Sequence, residues 1–156
     1  DIAIRGGDRA LDDPNLIARH LVTWQNTICA APDYLDRHPP ITHPSQLHAH
    51  RWLHFLPVRT TLQHSGESYF LDIADSIACT HLAAVCSLTE SGFGLSLQVG
   101  GEVREKIAQG RLKTVLPEWT LPPVSLYLVT PYRVQSAKTE AAVRIFTESF
   151  AKEADA

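Results

Sequence analysis

Residues 75 to 116 read DSIACTHLAAVCSLTESGFGLSLQVGGEVREKIAQGRLKTVL, and this stretch decides the fold class. Asp75 or Ser76 is a good N-cap for a helix over Ile77 to about Thr89, along which Ile77, Leu82, Val85 and Leu88 form one approximate apolar stripe. Gly92 closes that helix. The spacing then predicts a strand over Phe93 to Leu97, a helix over Glu102 to Gln109 stopped by Gly110, and a strand over Leu112 to Leu116. Strands alternating with helices argue for a parallel or mixed sheet covered by helices, an α/β fold.

The flanks fit the same class. Asp1 to Arg5 alternates into an apolar run and stops at Gly6-Gly7, which reads as a short buried strand ending in a turn. Leu16 to Val22 suits either a helix or a strand. Trp24 to Ala31 has the β-branched character of a strand. Pro32 then stands at a helix N1 position, with Asp33 in the first turn, and a short helix runs to Arg37. Ser45 is a candidate N-cap for a helix over Gln46 to His50. Trp52 to Leu56, Thr60 to Gln63 and Ser68 to Ile73 read as strands, with a turn at Gly66. Val124 to Thr130 adds a strand, and Ala137 to Lys152 is an amphipathic helix with Val143, Phe146 and Phe150 on its buried face. Val22 to Asn26 and Leu121 to Pro123 read as linkers. They divide the chain into a first subdomain of residues 1–24 and 123–156 and a second of residues 25–122, with a hinge and a cleft between lobes.

Composition removes several functions. The chain has 156 residues with 14 basic and 17 acidic side chains, a formal charge of −3, and no basic run that would hold phosphates. These residues are not expected to bind DNA by themselves. No stretch is long and apolar enough to span a bilayer. Cys29, Cys79 and Cys86 are odd in number and lie in apolar surroundings, which suits a reducing compartment, the cytoplasm. The chain has neither a leader-like start nor any methionine, and it reads as a piece of a longer protein.

Candidate chemistry is sparse. His43, His48, His50 and His54 cluster, and His50 with His54 has the i, i+4 spacing of a helical metal pair. No carboxylate or thiol follows at ligand spacing, so a solvated helix and loop is the favoured reading and no metal site or cofactor is expected. Cys79 and Cys86, seven apart, suit packing on one helix face. Gly92-Phe93-Gly94 lacks the third glycine of a nucleotide fingerprint and suits close backbone approach at a helix-to-strand turn. With no nucleophile elbow and no paired carboxylates, catalysis is not expected. Arg5 is either an anchor for an anionic ligand, with room left above it by Gly6 and Gly7, or a salt bridge at the subdomain rim. The turn Ile73-Ala74-Asp75-Ser76 leads into a helix N-terminus, which offers N–H groups to an anion, although Asp75 would repel one.

Several short motifs then occur in one order: Asp1 to Arg5, Leu16 to Leu21, Cys29 to His38, Pro44 to Leu47, His50 to Leu53, Gly92 to Gly94, Gly110 to Leu112, Leu116 to Trp119, Tyr127 to Pro131 and Val143 to Phe146. The series resembles the effector-sensing domain of LysR-type transcriptional regulators over nearly the whole chain. The resemblance implies a two-lobed fold like that of type II periplasmic binding proteins. A small, anionic effector would sit in the inter-lobe cleft, with homo-oligomers forming through this domain. DNA would be bound only by a separate N-terminal winged helix-turn-helix. It also implies that the opening β-α-β of the first lobe is missing, so that lobe is truncated at its N-terminal side. Leu97-Gln98-Val99 stands where the family commonly has a proline. Position by position, Arg5, Gly6 and Gly7 in the first lobe and Ile73, Ala74, Asp75 and Ser76 in the second fall where effector is contacted, with Ala31 and Phe93 beside them. A solute-binding protein of a transport system shares the implied fold and is the alternative.

Overall fold

A computed structural model of the chain describes residues 2–7, 15–131 and 136–154. The chain divides into two compact units, one of residues 1–24 and 123–156 and one of residues 25–122.

In the first unit, β1 (Ala3–Gly7), β2 (Leu16–Trp24) and β10 (Val124–Pro131) form a three-stranded sheet in the order β1-β10-β2. Both pairings are antiparallel, with Arg5 opposite Tyr127 and a bulge between Leu126 and Tyr127. Helix α4 (Ala137–Ala154) supplies Val143 and Phe150 to a small core around Leu21, Val22 and Leu128. Three expectations are corrected here. β1 is exposed at Ala3 to Gly6 rather than buried, because Ile4 is its one large apolar residue and is 41% exposed. Gly6 and Gly7 continue the strand instead of ending it, since both pair with β10; Asp1 and residues 8–14 lie outside the described residues. Phe146 does not share the buried face of α4 and is 38% exposed.

The second unit holds a five-stranded mixed sheet in the order β7-β4-β8-β3-β9. Its strands are β3 (Asn26–Ala30), β4 (Trp52–His54), β7 (Ile77–Ala78), β8 (Leu95–Val99) and β9 (Lys113–Val115). β4 runs parallel to β7 and to β8, whereas β3 is antiparallel to both β8 and β9. The four strands β4, β7, β8 and β9 therefore point the same way, with β3 reversed among them. Beside this sheet stands a hairpin of β5 (Val58–His64) and β6 (Glu67–Ile73), turned by Ser65 and Gly66, both at positive φ as a tight hairpin turn requires.

The core of this unit gathers Ile28, Leu47, Trp52, Leu62, Leu71, Leu95 and Trp119. Trp52 is wholly buried, and its indole Nε1 donates to Leu47 O at 2.9 Å, so the largest core side chain leaves no polar atom unpaired. A second cluster of Cys29, Val103 and Leu112 holds α3 (Gly100–Ala108) against the sheet.

Pro32 opens α1 (Pro32–Asp36) as its fixed φ favours. Residues Pro44–Ala49 form a 3-10 helix whose N-cap is His43 rather than Ser45. The His43 ring accepts the Ser45 N–H at 3.2 Å while Gln46 Oε1 reaches back to the His43 N–H at 2.9 Å, a reciprocal box that a serine at position 45 cannot make. The larger correction concerns α2, which spans Leu82–Glu90 and not Ile77 to Thr89. Ile77 and Ala78 instead form β7, pairing with Leu53 and His54 on the open edge of β4, and Cys79 N–H donates to His54 O at 2.8 Å. An apolar stripe at helical spacing loses here to a strand edge that needs partners.

Candidate functional site

The common direction of β4, β7, β8 and β9 gives the unit of residues 25–122 two unlike edges. At the carboxyl ends stand Phe55 and Leu56 after β4, Cys79, Thr80 and His81 after β7, and Gly100 after β8. In open α/β sheets that is the edge where ligands are held. Two helices begin there. α2 starts at Leu82 and α3 at Gly100, and among the described residues no side chain caps either of them. The first-turn N–H groups of α2 carry a partial positive charge, whereas the first of α3, that of Gly100, donates to Gln25 O at 2.8 Å. Glu102 stands in the first turn of α3 and already answers its dipole, while α2 has no acidic residue there. Thr80 Oγ1 and His81 Nδ1 lie 2.7 Å apart beside the α2 start, and Phe55 (47% exposed) and Leu56 (69%) offer apolar surface at the end of the neighbouring strand. Nδ1 of His54, at the end of β4, is buried without a partner among the described residues.

The amino ends of the same strands carry a hollow of about 870 Å³. Tyr34, Arg37 and His38 line it from α1 and its end, His48 to Arg51 from the approach to β4, Asp75 to Ile77 from the approach to β7, and Ser91 to Phe93 from the turn before β8. Tyr34 organises it. Its hydroxyl accepts the Arg51 N–H at 3.2 Å and is hydrogen-bonded to His50 Nδ1, also at 3.2 Å. His38 stacks on the Tyr34 ring at 4.1 Å and 24°, with Nδ1 donating to Tyr34 O at 2.7 Å. Burial, and then the nearby His38, hold His50 below the usual imidazole range. Gly94 carries the turn beneath: a Cβ there would lie 2.4 Å from Arg51 O, so the backbone of β8 approaches Arg51 as only glycine permits.

The residues singled out from the sequence fall in both units. Asp75, Ser76 and Phe93 line the hollow. Ile73 belongs to the core, Ala31 is the buried N-cap of α1, and Ala74 is exposed outside the hollow. Arg5, Gly6 and Gly7 belong to the other unit, on exposed β1. The turn 73–76 does not lead into a helix N-terminus as expected, because β7 intervenes; the turn that does is Cys79 to His81. Sequence reading missed Thr80 and His81 because it ran the helix through them.

The clustered histidines separate. His43 bonds Glu67 at 3.0 Å, His50 follows the 3-10 helix, and His54 ends a strand, so the helical pair does not exist. Among the described residues no three potential metal ligands converge. Cys79 lies before α2, not on one helix face with Cys86. Burial pushes the Cys29 thiol up to about 12 and raises that of Cys86. β8 runs unbroken through Leu97-Gln98-Val99, and buried Gln98 donates to Ser96 Oγ at 2.8 Å, so a regular strand stands where a proline was commonly expected.

A profile of the family described as LysR substrate binding domain matches residues 1–151. The chain belongs to this family. Among curated relatives, this LysR substrate-binding domain is 29% identical over 153 residues to the HTH-type transcriptional regulator PtxR of Pseudomonas aeruginosa, covering 96% of the chain and 47% of PtxR. It is also 29% identical over 161 residues to DmlR of Escherichia coli, covering 97% and 50%. The LysR domain thus spans about half the length of the regulators it matches. Among solved structures, full-length AphB, the Vibrio cholerae virulence activator, superimposes with TM-score 0.82 at 25% identity, covering 96% of the chain and 52% of AphB. The regulatory domain of CrgA from Neisseria meningitidis gives 0.81 at 26%, covering 96% and 75%. The LysR domain therefore has the α/β, type II periplasmic-binding-protein-like fold of these neighbours.

Proposed function

We propose that this LysR substrate-binding domain senses a small anionic effector for a DNA-binding transcriptional regulator, and that the N-terminus of α2 holds the effector's charge. The observation that carries the reading is the uncapped start of α2 at the carboxyl end of β7, with no acid in its first turn. Leu82 and Ala83 N–H groups supply donors, Thr80 a hydroxyl and His81 an imidazole, while Phe55 and Leu56 suit an apolar portion. Residues 25–122 act as one regulatory subdomain, with residues 1–24 and 123–156 as the remainder of another. Arg5, Gly6 and Gly7 are proposed as the first subdomain's contribution to effector contact.

PtxR, DmlR, AphB and CrgA are all described as transcriptional regulators, which favours regulation over transport. They also favour a binding module over an enzyme, working in the cytoplasm. DNA contact is assigned to a winged helix-turn-helix outside these residues. Exposed Ile4, on an edge strand, and Ile145 with Phe146 on α4 support self-association through the domain. Among the described residues no helix is long and apolar enough to cross a membrane.

The test is a thermal-shift panel of small organic acids on the 156-residue chain, repeated on Thr80→Val and His81→Ala. An acid that stabilises the parent chain is expected to lose most of its effect in both variants. An undiminished shift would remove the effector from α2.

A further inference from the structure

The hollow at the amino edge of the β4, β7 and β8 strands is not used by the reading above. It collects two guanidinium groups, Arg37 and Arg51, against one carboxylate, Asp75. Among the described residues neither arginine has a carboxylate partner: Arg37 donates only to Gly92 O, at 3.3 Å, and the Arg51 side chain makes no bond. Two guanidinium groups free of carboxylate bonds on one concave surface have their forks available to an anion. The floor is rigid. Tyr34 is 4% exposed and fixes both His38 and His50, and Gly94 brings the Arg51 backbone hard against the turn before β8. The rim is apolar where Ile77 (44% exposed) and Phe93 (48%) stand free.

We infer that this hollow is a second ligand site of the chain, separate from the α2 start, and that it takes a small organic dianion. Its charged groups engage Arg37 and Arg51, and its apolar part lies on Phe93 and Ile77. An aromatic or short aliphatic dicarboxylate has that chemistry, and a volume of about 870 Å³ admits it with ordered water. The charged and histidine side chains lining the hollow are Arg37, His38, His48, His50, Arg51 and Asp75, of which only Asp75 opposes the anion.

The test is calorimetric titration of the 156-residue chain with phthalate and with inorganic phosphate, on the parent and on Arg51→Gln, Phe93→Ala and Thr80→Val. Arg51 is exposed and its side chain unbonded, so Arg51→Gln is expected to fold. Phthalate should bind saturably, weaken about tenfold or more in Arg51→Gln, weaken in Phe93→Ala, and bind unchanged in Thr80→Val. Phosphate should respond to Arg51→Gln and not to Phe93→Ala. Equal phthalate affinity in Arg51→Gln and the parent, or no saturable heat with either anion up to tens of millimolar, overturns the site. Loss of phthalate binding in Thr80→Val alone would assign the anion to the α2 start and overturn it equally.

Discussion

Replacing Gly94 by alanine tests the contact on which both the sheet and the hollow depend. The added Cβ would lie 2.4 Å from Arg51 O and 3.0 Å from Arg51 C, both backbone atoms that no rotamer change can move. The same carbonyl accepts the Leu95 N–H at 2.8 Å, and Trp52 pairs with Leu95 in the next register position. Relief therefore requires β4 and β8 to part. Overpacking of this kind costs about 1 to 3 kcal/mol, and loss of the adjoining hydrogen bond adds about 0.5 to 1.5. Gly94→Ala should thus lose about 2 to 4 kcal/mol, a fall in Tm of roughly 10 to 20 °C for a unit of this size. Gly110→Ala is the control. Its φ is +73° but nothing lies within 4 Å of the new methyl, so strain alone should cost about 1 kcal/mol. Paired thermal and urea melts decide it. Equal losses in the two variants would refute the close approach of β8 to Arg51.

Four further outcomes follow from the same geometry. Thr89 Oγ1 gives its proton to Val85 O and therefore accepts from Ser96, so Thr89→Val, which leaves buried Ser96 one partner short, should cost about 1 to 3 kcal/mol in a urea titration. Glu90 is held below the usual carboxylate range chiefly by the Lys106 hydrogen bond, with Arg111 beside it. Because its folded value is depressed, its contribution is full above the ordinary carboxylate value and lost as pH falls through the folded one; melts of Glu90→Gln and parent should differ at pH 7 and converge under acid. Iodoacetamide at pH 8 should label Cys79 in the native chain and spare Cys29 until unfolding, and equal labelling by mass spectrometry would contradict the burial of Cys29. Arg5→Ala, on an exposed strand, should change stability by less than about 0.5 kcal/mol, so any effect on effector response reads as binding.

Much of the local structure is legible in the chain because single residues enforce it. Pro32 sets the start of α1, Gly92 the end of α2, and the Ser65-Gly66 pair the hairpin turn. Elements decided by distant partners are not legible. Ile77 and Ala78 satisfy a helical stripe, yet the free edge of β4 claims them as a strand, and that one displacement moves the helix start from Ile77 to Leu82. The relevant turn shifts with it from Asp75 and Ser76 to Thr80 and His81. The three-stranded sheet of the first unit is antiparallel although strands and helices alternate elsewhere, because β10 comes from residues a hundred positions beyond β2 and its direction is set only by pairing. The hollow is illegible for the same reason. It needs Tyr34, Arg51, Asp75 and Phe93 together, and only the sheet order brings those four segments to one edge.

The central claim is that effector charge rests on the start of α2, and amide-resolved NMR tests it most directly. The 156-residue chain would be titrated with the acid that stabilises it best in the thermal-shift panel. Shifts concentrated at Cys79 to Val85, with Phe55 and Leu56, are the predicted result. Shifts confined to Tyr34, Arg37, His50, Arg51 and Phe93, with the α2 amides unmoved, would contradict it.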